Sequence, residues 1–180
     1  MSYEDLCSQL RDEFPSFKEK RKSDSFFMKG IHAFLLVITF GQMRSFMSNF
    51  ITTIGTTVYV PNSWSSMLEH DKMIVLLHER VHMRQRAKYG SLVFSFAYLF
   101  FPLPCVFAYA RMKFEQEAYA ESLKATVELL VMGEQLIQTE EWRERYIGYF
   151  TQASYFWTWP WRKSVEKWFD SAVKAALGKF

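Results

Sequence analysis

The stretch His78-Glu79-Arg80-Val81-His82 decides how this chain is interpreted, because it forms an H-E-x-x-H box. In a helix, two histidines four residues apart lie one above the other on one face, so that both imidazoles can reach one zinc ion. Glu79 would lie beside that metal, where its carboxylate can take a proton from the attacking water molecule. We therefore predict a zinc site. The alternative is a hydrogen-bonded pair of core histidines on an amphipathic helix.

Local signals around the box predict one helix, from about Glu69 to Tyr89. Asp71 lies near its beginning, and Arg86 and Lys88 lie in its last turns, which is the charge arrangement that the helix dipole favours. Gly90 follows as a candidate C-terminal cap. The box is therefore placed on a helix whose two ends are both marked in the sequence.

A catalytic zinc site needs three protein ligands, and the next helical segment, 114–121, offers three glutamates. Glu117 is the predicted third ligand. Glu121, one turn later, would face the same side and could hydrogen-bond a ligand histidine. Glu115 points to a different face and is the fallback ligand. Any one of these carboxylates could instead belong to a solvated helix face.

Strand and helix patterns predict an α+β protein that is mostly helical. Residues 51–60 are rich in β-branched side chains around Gly55 and are closed by Pro61, which favours a short hairpin or a bulged strand. We interpret the chain as a single domain, 1–180, in which 1–24 form a polar N-terminal extension with a short helix and a linker. Further helices are predicted at 26–40, 111–136, 140–150 and 161–178.

The bulk composition bounds the class of protein. The chain has 180 residues, 49% of them hydrophobic, which is enough for one domain with a sizeable core. Basic and acidic residues are interleaved and the net charge is only +3, so we expect no nucleic-acid partner. Two cysteines make no disulfide framework, and the polar N-terminus is not a secretory signal. These features favour a cytoplasmic location, with membrane association left open.

Residues 91–110 contain no charge and are long enough for a membrane helix. Pro102 and Pro104 argue against one continuous helix. A single crossing would also place His82 and Glu117 on opposite sides of the bilayer, so the zinc site could not form. We therefore expect two short apolar arms that turn at 102–104. They could be buried, line a hydrophobic pocket or touch a membrane surface.

These residues resemble those of the gluzincin zinc metallopeptidases, in which a helical glutamate follows an H-E-x-x-H box. Glu117-Ala118-Tyr119 is similar to their Glu-Ala-Asp element, with Tyr119 in place of the aspartate. Gln85, three residues after the second histidine, also occurs often in small members of the group. The stretch 26–161 is similar to small metallopeptidase-like proteins of tailed bacteriophages and bacteria.

The resemblance implies a zincin-like (minigluzincin-like) domain in which a small sheet covers the active-site helix. Its edge strand would line the substrate cleft, and Val58 to Val60 would suit that strand. A peptide or protein substrate could then bind by adding a strand. The implied activity is that of a zinc metalloendopeptidase.

The resemblance also implies a set of roles. Zn²⁺ would be held by His78, His82 and Glu117, and Glu79 would act as the general base. Tyr155 is the predicted hydrogen-bond donor to the developing oxyanion, with Tyr146 and Tyr149 as alternatives, although tyrosines in aromatic clusters are usually core residues.

A non-catalytic protein is the alternative. It would bind zinc or a membrane surface, the latter through 91–110, and keep a peptidase-like fold. A fourth protein ligand on the metal would favour this alternative. An intact Glu79 favours the peptidase, because a purely structural zinc site has no need of a general base.

Overall fold

The computed structural model describes residues 1–38, 40–41, 44–99, 108–152, 159 and 161–178. These residues are mostly helical and include one three-stranded sheet, which confirms the α+β class. The chain forms two compact units, Met1–Lys72 and Met73–Phe180. That the two units act as one domain stays a prediction.

The first unit begins with a helix inside the segment that the sequence predicts to be a polar extension. Ser2 and Asp5 form a capping box, in which each side chain accepts a hydrogen bond from the other residue's backbone N–H. One face of this helix is buried through Leu6, Cys7 and Leu10. The elements of the unit are α1 (Tyr3–Glu13), β1 (Lys18–Arg21), α2 (Phe26–Ile38), α3 (Phe46–Asn49), β2 (Thr52–Ile54) and β3 (Thr57–Val60).

The sheet has the order β1-β3-β2. β2 and β3 form the predicted hairpin, in which Ile54 pairs with Thr57 and Gly55 takes a positive φ of 69° at the first position of the turn. β1 runs parallel to β3 on its other side, with Lys18 opposite Thr57. β3 is therefore the central strand, and the expectation that Val58 to Val60 form an edge strand is wrong.

β1 lies in the segment that was predicted to be a linker. All four of its residues, Lys18 to Arg21, are charged, so the strand shows none of the apolar alternation by which strands are recognised. It is held by backbone pairing with β3, while its side chains are mostly exposed. Pairing of this kind depends on a distant partner and leaves no local signal.

The second unit is helical in its described part. Its first helix begins before the unit boundary and has the predicted bounds, and it ends at Gly90, which has a φ of 81° and donates its N–H to the carbonyl of Arg86. The elements are α4 (Glu69–Tyr89), α5 (Ser91–Leu99), α6 (Ala108–Leu129), α7 (Gly133–Leu136), α8 (Glu140–Thr151) and α9 (Arg162–Ala176).

α6, α8 and α9 enclose the core of the second unit. Their buried side chains form two neighbouring clusters, and Tyr119 and Tyr149 pack against both. The members of these clusters are Leu123, Ile137, Tyr146, Phe169 and Ala172 in one, and Met112, Ile147, Phe150 and Val165 in the other.

The predicted helix 111–136 is in fact two helices. α6 ends at Leu129, and α7 begins at Gly133. Gly133 lies so close to α6 that a Cβ atom there would be 2.1 Å from the backbone oxygen of Thr126. The absence of a side chain therefore permits the chain to turn back against α6 at this point.

Within the apolar stretch 91–110, residues 91–99 form α5 and residues 108–110 begin α6, and these two helices contact each other. The proposed turn at 102–104 lies outside the described residues, as does Cys105. Among the helices that the structure describes, none is long and apolar enough to cross a membrane.

Candidate metal centre

α4 and α6 bring together two imidazoles and one carboxylate. The Nε2 atoms of His78 and His82 lie 3.2 Å apart. One carboxylate oxygen of Glu115 lies 3.5 Å from Nε2 of His78 and 3.6 Å from Nε2 of His82. His82 and Glu115 are buried and His78 is half-buried, so the three groups face one another largely away from water.

The spacing of these three atoms fits a tetrahedral metal ion. Bonds of about 2.0–2.1 Å from zinc to nitrogen or oxygen place neighbouring ligand atoms about 3.3–3.4 Å apart. The observed separations, 3.2, 3.5 and 3.6 Å, lie close to that value. Two neutral imidazoles and a carboxylate are also a donor set that zinc accepts, so the residues fit the group.

The other ring nitrogen of His82 has a partner that fixes its tautomer. Its Nδ1 lies 3.0 Å from Oε1 of Gln85, whose amide nitrogen donates to the carbonyl of Phe114 and to the carboxylate of Glu117. Because both of those partners are acceptors, the amide oxygen of Gln85 must face the imidazole. Nδ1 of His82 therefore carries the proton, and the lone pair of the neutral ring is on Nε2.

A residue of α6 fixes the tautomer of His78 in the same way. Its Nδ1 lies 3.2 Å from the hydroxyl of Ser122, and that hydroxyl donates to the carbonyl of Ala118. The Ser122 oxygen is then free to accept the Nδ1 proton of His78. Both histidines thus direct the Nε2 lone pair toward the same point.

The structure places the predicted third ligand elsewhere. Glu117 is exposed and accepts a hydrogen bond from Gln85 at 2.8 Å, whereas Glu115, the fallback ligand, lies beside both histidines. Two residues along a helix correspond to a rotation of about 200°, so the two carboxylates leave α6 in nearly opposite directions. The third-ligand assignment therefore moves from Glu117 to Glu115.

Glu121 was predicted to hydrogen-bond a ligand histidine. In the structure, the Nδ1 atoms of His78 and His82 are instead next to Ser122 and Gln85. Glu121 is half-buried, while Ser122 and Gln85 are the buried partners of the histidines. Gln85 was visible in the sequence only as a feature of the resembling family. Ser122 gave no signal of its own, although it lies seven residues after Glu115 and so on the same helix face.

The charges of the site act strongly on His82. Burial lowers its pKa, but the carboxylate of Glu115 and the charge of Glu79 outweigh this, so that the pKa is raised to about 9. Burial likewise raises the pKa of Glu115, and the two histidines outweigh it and hold the pKa well below its usual range. Without a metal, the site therefore keeps Glu115 ionised and holds a proton on His82 near neutral pH.

Glu79, the predicted general base, is buried on the same helix as the two histidines. Its charge is among the causes that raise the pKa of His82, which places its carboxylate within electrostatic reach of the site. A buried carboxylate in this position can accept a proton from a group bound near the histidines.

Aromatic rings line one side of the site. The ring of Tyr119 meets the ring of His78 edge-on at 4.6 Å, and the ring of Tyr149 stacks on Tyr119 at 4.9 Å. Tyr146 is buried next to them. Burial raises the pKa of Tyr149 and of Tyr146, so both phenols stay protonated at neutral pH. Tyr155, the predicted oxyanion donor, lies outside the described residues.

α5 covers the site from another side. The ring of Phe94 is 6.3 Å from that of His82 and 5.1 Å from that of Phe114 on α6. Leu92 and Val93 on the same helix are exposed. In the described part of α5, Phe94 thus faces the site, while Leu92 and Val93 face solvent.

Comparison of the chain with protein-family models, with curated proteins and with solved structures finds no significant match. The resemblance to gluzincins stays a prediction that rests on the residues themselves.

Proposed function

We propose that this protein is a zinc-dependent peptidase of the gluzincin type with a zincin-like fold. One observation carries the proposal. The Nε2 atoms of His78 and His82 and the carboxylate of Glu115 meet at the ligand spacing of a tetrahedral metal, with Glu79 buried on the same helix. Three protein ligands leave one coordination position open, as catalytic sites require.

The residues of the site would have the following roles. His78, His82 and Glu115 would hold the ion. The Nδ1 atoms of His78 and His82 donate to Ser122 and Gln85 respectively, which keeps both rings in the binding orientation. Zinc, when bound, would supply the Lewis acid that polarises a peptide carbonyl and acidifies water. Glu79 takes the proton from the attacking water and later passes it to the leaving amine. Tyr155 stays the predicted donor to the oxyanion.

The proposal is tested by comparing the wild-type protein with the variant Glu79→Gln. Both are purified without a tag and without chelator. Elemental mass spectrometry should find about one zinc per chain in both, because Glu79 is not a ligand. A peptide-library digest should show hydrolysis by the wild type and a loss of about 10²- to 10⁴-fold in the variant, the usual contribution of a general base. Full turnover by Glu79→Gln would remove Glu79 from this role, and a wild type that takes up no zinc would refute the peptidase.

The exposed Leu92 and Val93 beside the site favour a second candidate, a non-catalytic zinc protein that associates with a membrane surface through 91–110. Such a protein needs no general base. Zinc binding without any peptide hydrolysis by the wild type, together with vesicle binding that is lost on Leu92→Gln/Val93→Gln, would support this candidate over the peptidase.

A further inference from the structure

α2 in the first unit has two apolar faces and only one of them is packed. Met28 is fully buried and His32 stacks on Phe46, so this side of the helix belongs to the core. The opposite side is also apolar but open to solvent. Its exposed large side chains, counting Phe40 just beyond the helix end, are Phe26 (88% exposed), Phe27 (59%), Phe34 (63%), Val37 (74%) and Phe40 (95%).

These exposed residues form one surface along most of the helix. Phe26, Ala33 and Val37 are spaced by seven and four residues, so they lie on the same face of the helix. Phe34 extends the surface on one side, and Lys29 on the other side is its one charged member within the helix. We call this surface the α2 apolar face. A helix that is apolar on all sides is normally buried, so this face requires a partner.

Exposed basic side chains flank the α2 apolar face at both ends. Lys20 and Arg21 line the same surface depression as Phe26 at the N-terminal end, together with Glu19 and Asp24. The guanidinium of Arg44 lies within about 4 Å of the position of a Cβ on Gly41, just after the C-terminal end. The ammonium of Lys29 lies 5.2 Å from the centre of the Phe26 ring.

The charge of this region differs from that of the rest of the chain. Residues 18–44 contain six basic and two acidic residues and carry a net charge of +4, whereas the whole chain carries +3. One of the six, Lys22, is buried, and the other five are exposed. The remainder is therefore slightly acidic, at −1. The excess positive charge is concentrated around α2, whose apolar side is open to solvent.

We propose that the α2 apolar face docks the protein onto an anionic lipid bilayer. The phenylalanines enter the boundary between headgroups and acyl chains, while Lys20, Arg21, Lys29 and Arg44 contact anionic headgroups. With 13 residues, α2 is about 20 Å long and cannot cross a hydrocarbon core of about 30 Å, so it lies in the plane of the surface. The docking is independent of the proposed peptidase and involves the other unit.

The test is flotation of the full chain with vesicles of phosphatidylserine mixed with phosphatidylcholine, and with vesicles of phosphatidylcholine alone. We expect strong flotation with the mixed vesicles, weak flotation with the neutral ones, and a decrease as salt screens the charges. Phe34→Gln/Val37→Gln should reduce the partition coefficient at least about 10-fold, since both side chains lose their contact with the acyl region.

Two matched controls accompany this variant. Val131→Gln/Met132→Gln replaces two exposed apolar residues outside the α2 apolar face and should float as the wild type does. The triple variant Lys20→Gln/Arg21→Gln/Lys29→Gln should lose about fivefold per removed charge, whereas Lys163→Gln/Lys167→Gln/Lys174→Gln should lose little. Thermal melts verify that each variant is folded, and Glu79→Gln should bind vesicles normally.

Three outcomes would overturn the proposal. One is a wild type that does not float with the anionic vesicles. Another is unchanged flotation of Phe34→Gln/Val37→Gln. The third is a wild type that is dimeric by light scattering and becomes monomeric in this variant without binding vesicles, because a second copy of the chain would then cover the α2 apolar face.

Discussion

At the scale of single residues, Glu115, the fallback ligand, lies at the position that was predicted for Glu117. Glu115 is 5% exposed and faces two histidines, whereas Glu117 is exposed and holds the amide of Gln85. Glu117 is thus linked to His82 through Gln85 rather than placed beside it. The two glutamates should therefore differ strongly in their effect on metal affinity, although only one residue separates them.

We expect Glu115→Gln to weaken zinc binding by more than about 100-fold, because it removes a charged ligand. Glu117→Gln should cost less than about 100-fold, the usual range for a residue that only supports a ligand. Competition titrations with a zinc chelator of known affinity measure both values. The reverse order would return the third-ligand role to Glu117.

The sequence did contain a signal for Glu115. Met112 and Ala118, three residues before and after Glu115, are apolar, whereas Lys113 and Glu121, four residues before and after Glu117, are charged. Glu115 therefore lies in the inward stripe of α6. The signal is weak, because a charged residue is not expected among the inward-facing residues of a helix unless its partners, here the two histidines, are already known. By contrast, the spacing of His78 and His82 is set within one helix and was predicted correctly.

At the scale of elements, the break between α6 and α7 depends on a close approach at Gly133. A Cβ atom there would meet the backbone of Thr126 at 2.1 Å, and backbone cannot move aside as a flexible side chain can. Gly30 in α2 offers a contrast, since nothing lies within 4 Å of the corresponding Cβ position.

Gly133→Ala should lower the free energy of unfolding by about 1–3 kcal/mol, the usual cost of overpacking. Gly30→Ala should raise it by about 0.5–1 kcal/mol, because alanine loses less conformational entropy than glycine in a helix interior. Urea denaturation of both variants measures the two changes. Equal effects would mean that the approach to Thr126 does not define the break.

The elements that could be predicted are those with local signals. α4 carries charges at both ends and a glycine cap, and the hairpin of β2 and β3 carries β-branched residues around Gly55, so both were found. β1 was missed because the residues that it pairs with in β3 lie 39 positions further along the chain and its own sequence is charged. The break at Gly133 was missed because a close approach between two helices is a property of tertiary packing.

At the scale of the whole molecule, the charges of the site link metal binding, stability and pH. In the metal-free protein the pKa of His82 is raised from its ordinary value of 6.5 to about 9. The folded state therefore binds the His82 proton more tightly than the unfolded state does. The resulting stabilisation is fully present below about pH 6.5 and is lost as the pH rises through about 9.

We expect the melting temperature of chelator-treated protein to fall between about pH 6.5 and 9. Glu115→Gln should flatten this dependence, because the carboxylate that raises the pKa of His82 is gone. In the same range the zinc affinity of the wild type should rise with pH, since the metal must displace the histidine proton. A flat profile for the chelator-treated wild type would contradict the assignment. Circular-dichroism melts across the range provide the measurement.

The position of β1 has a consequence for how molecules of this protein behave toward one another. An outer strand exposes unpaired backbone groups, and through them sheets of separate molecules can join and aggregate. One edge strand of the sheet is β1, Lys18-Glu19-Lys20-Arg21, in which every side chain is charged. The other edge strand is β2, which has only three residues. If two copies paired along β1, two strands that are both net positively charged would meet and repel each other. The charge of β1 therefore favours monomers over aggregates at high concentration.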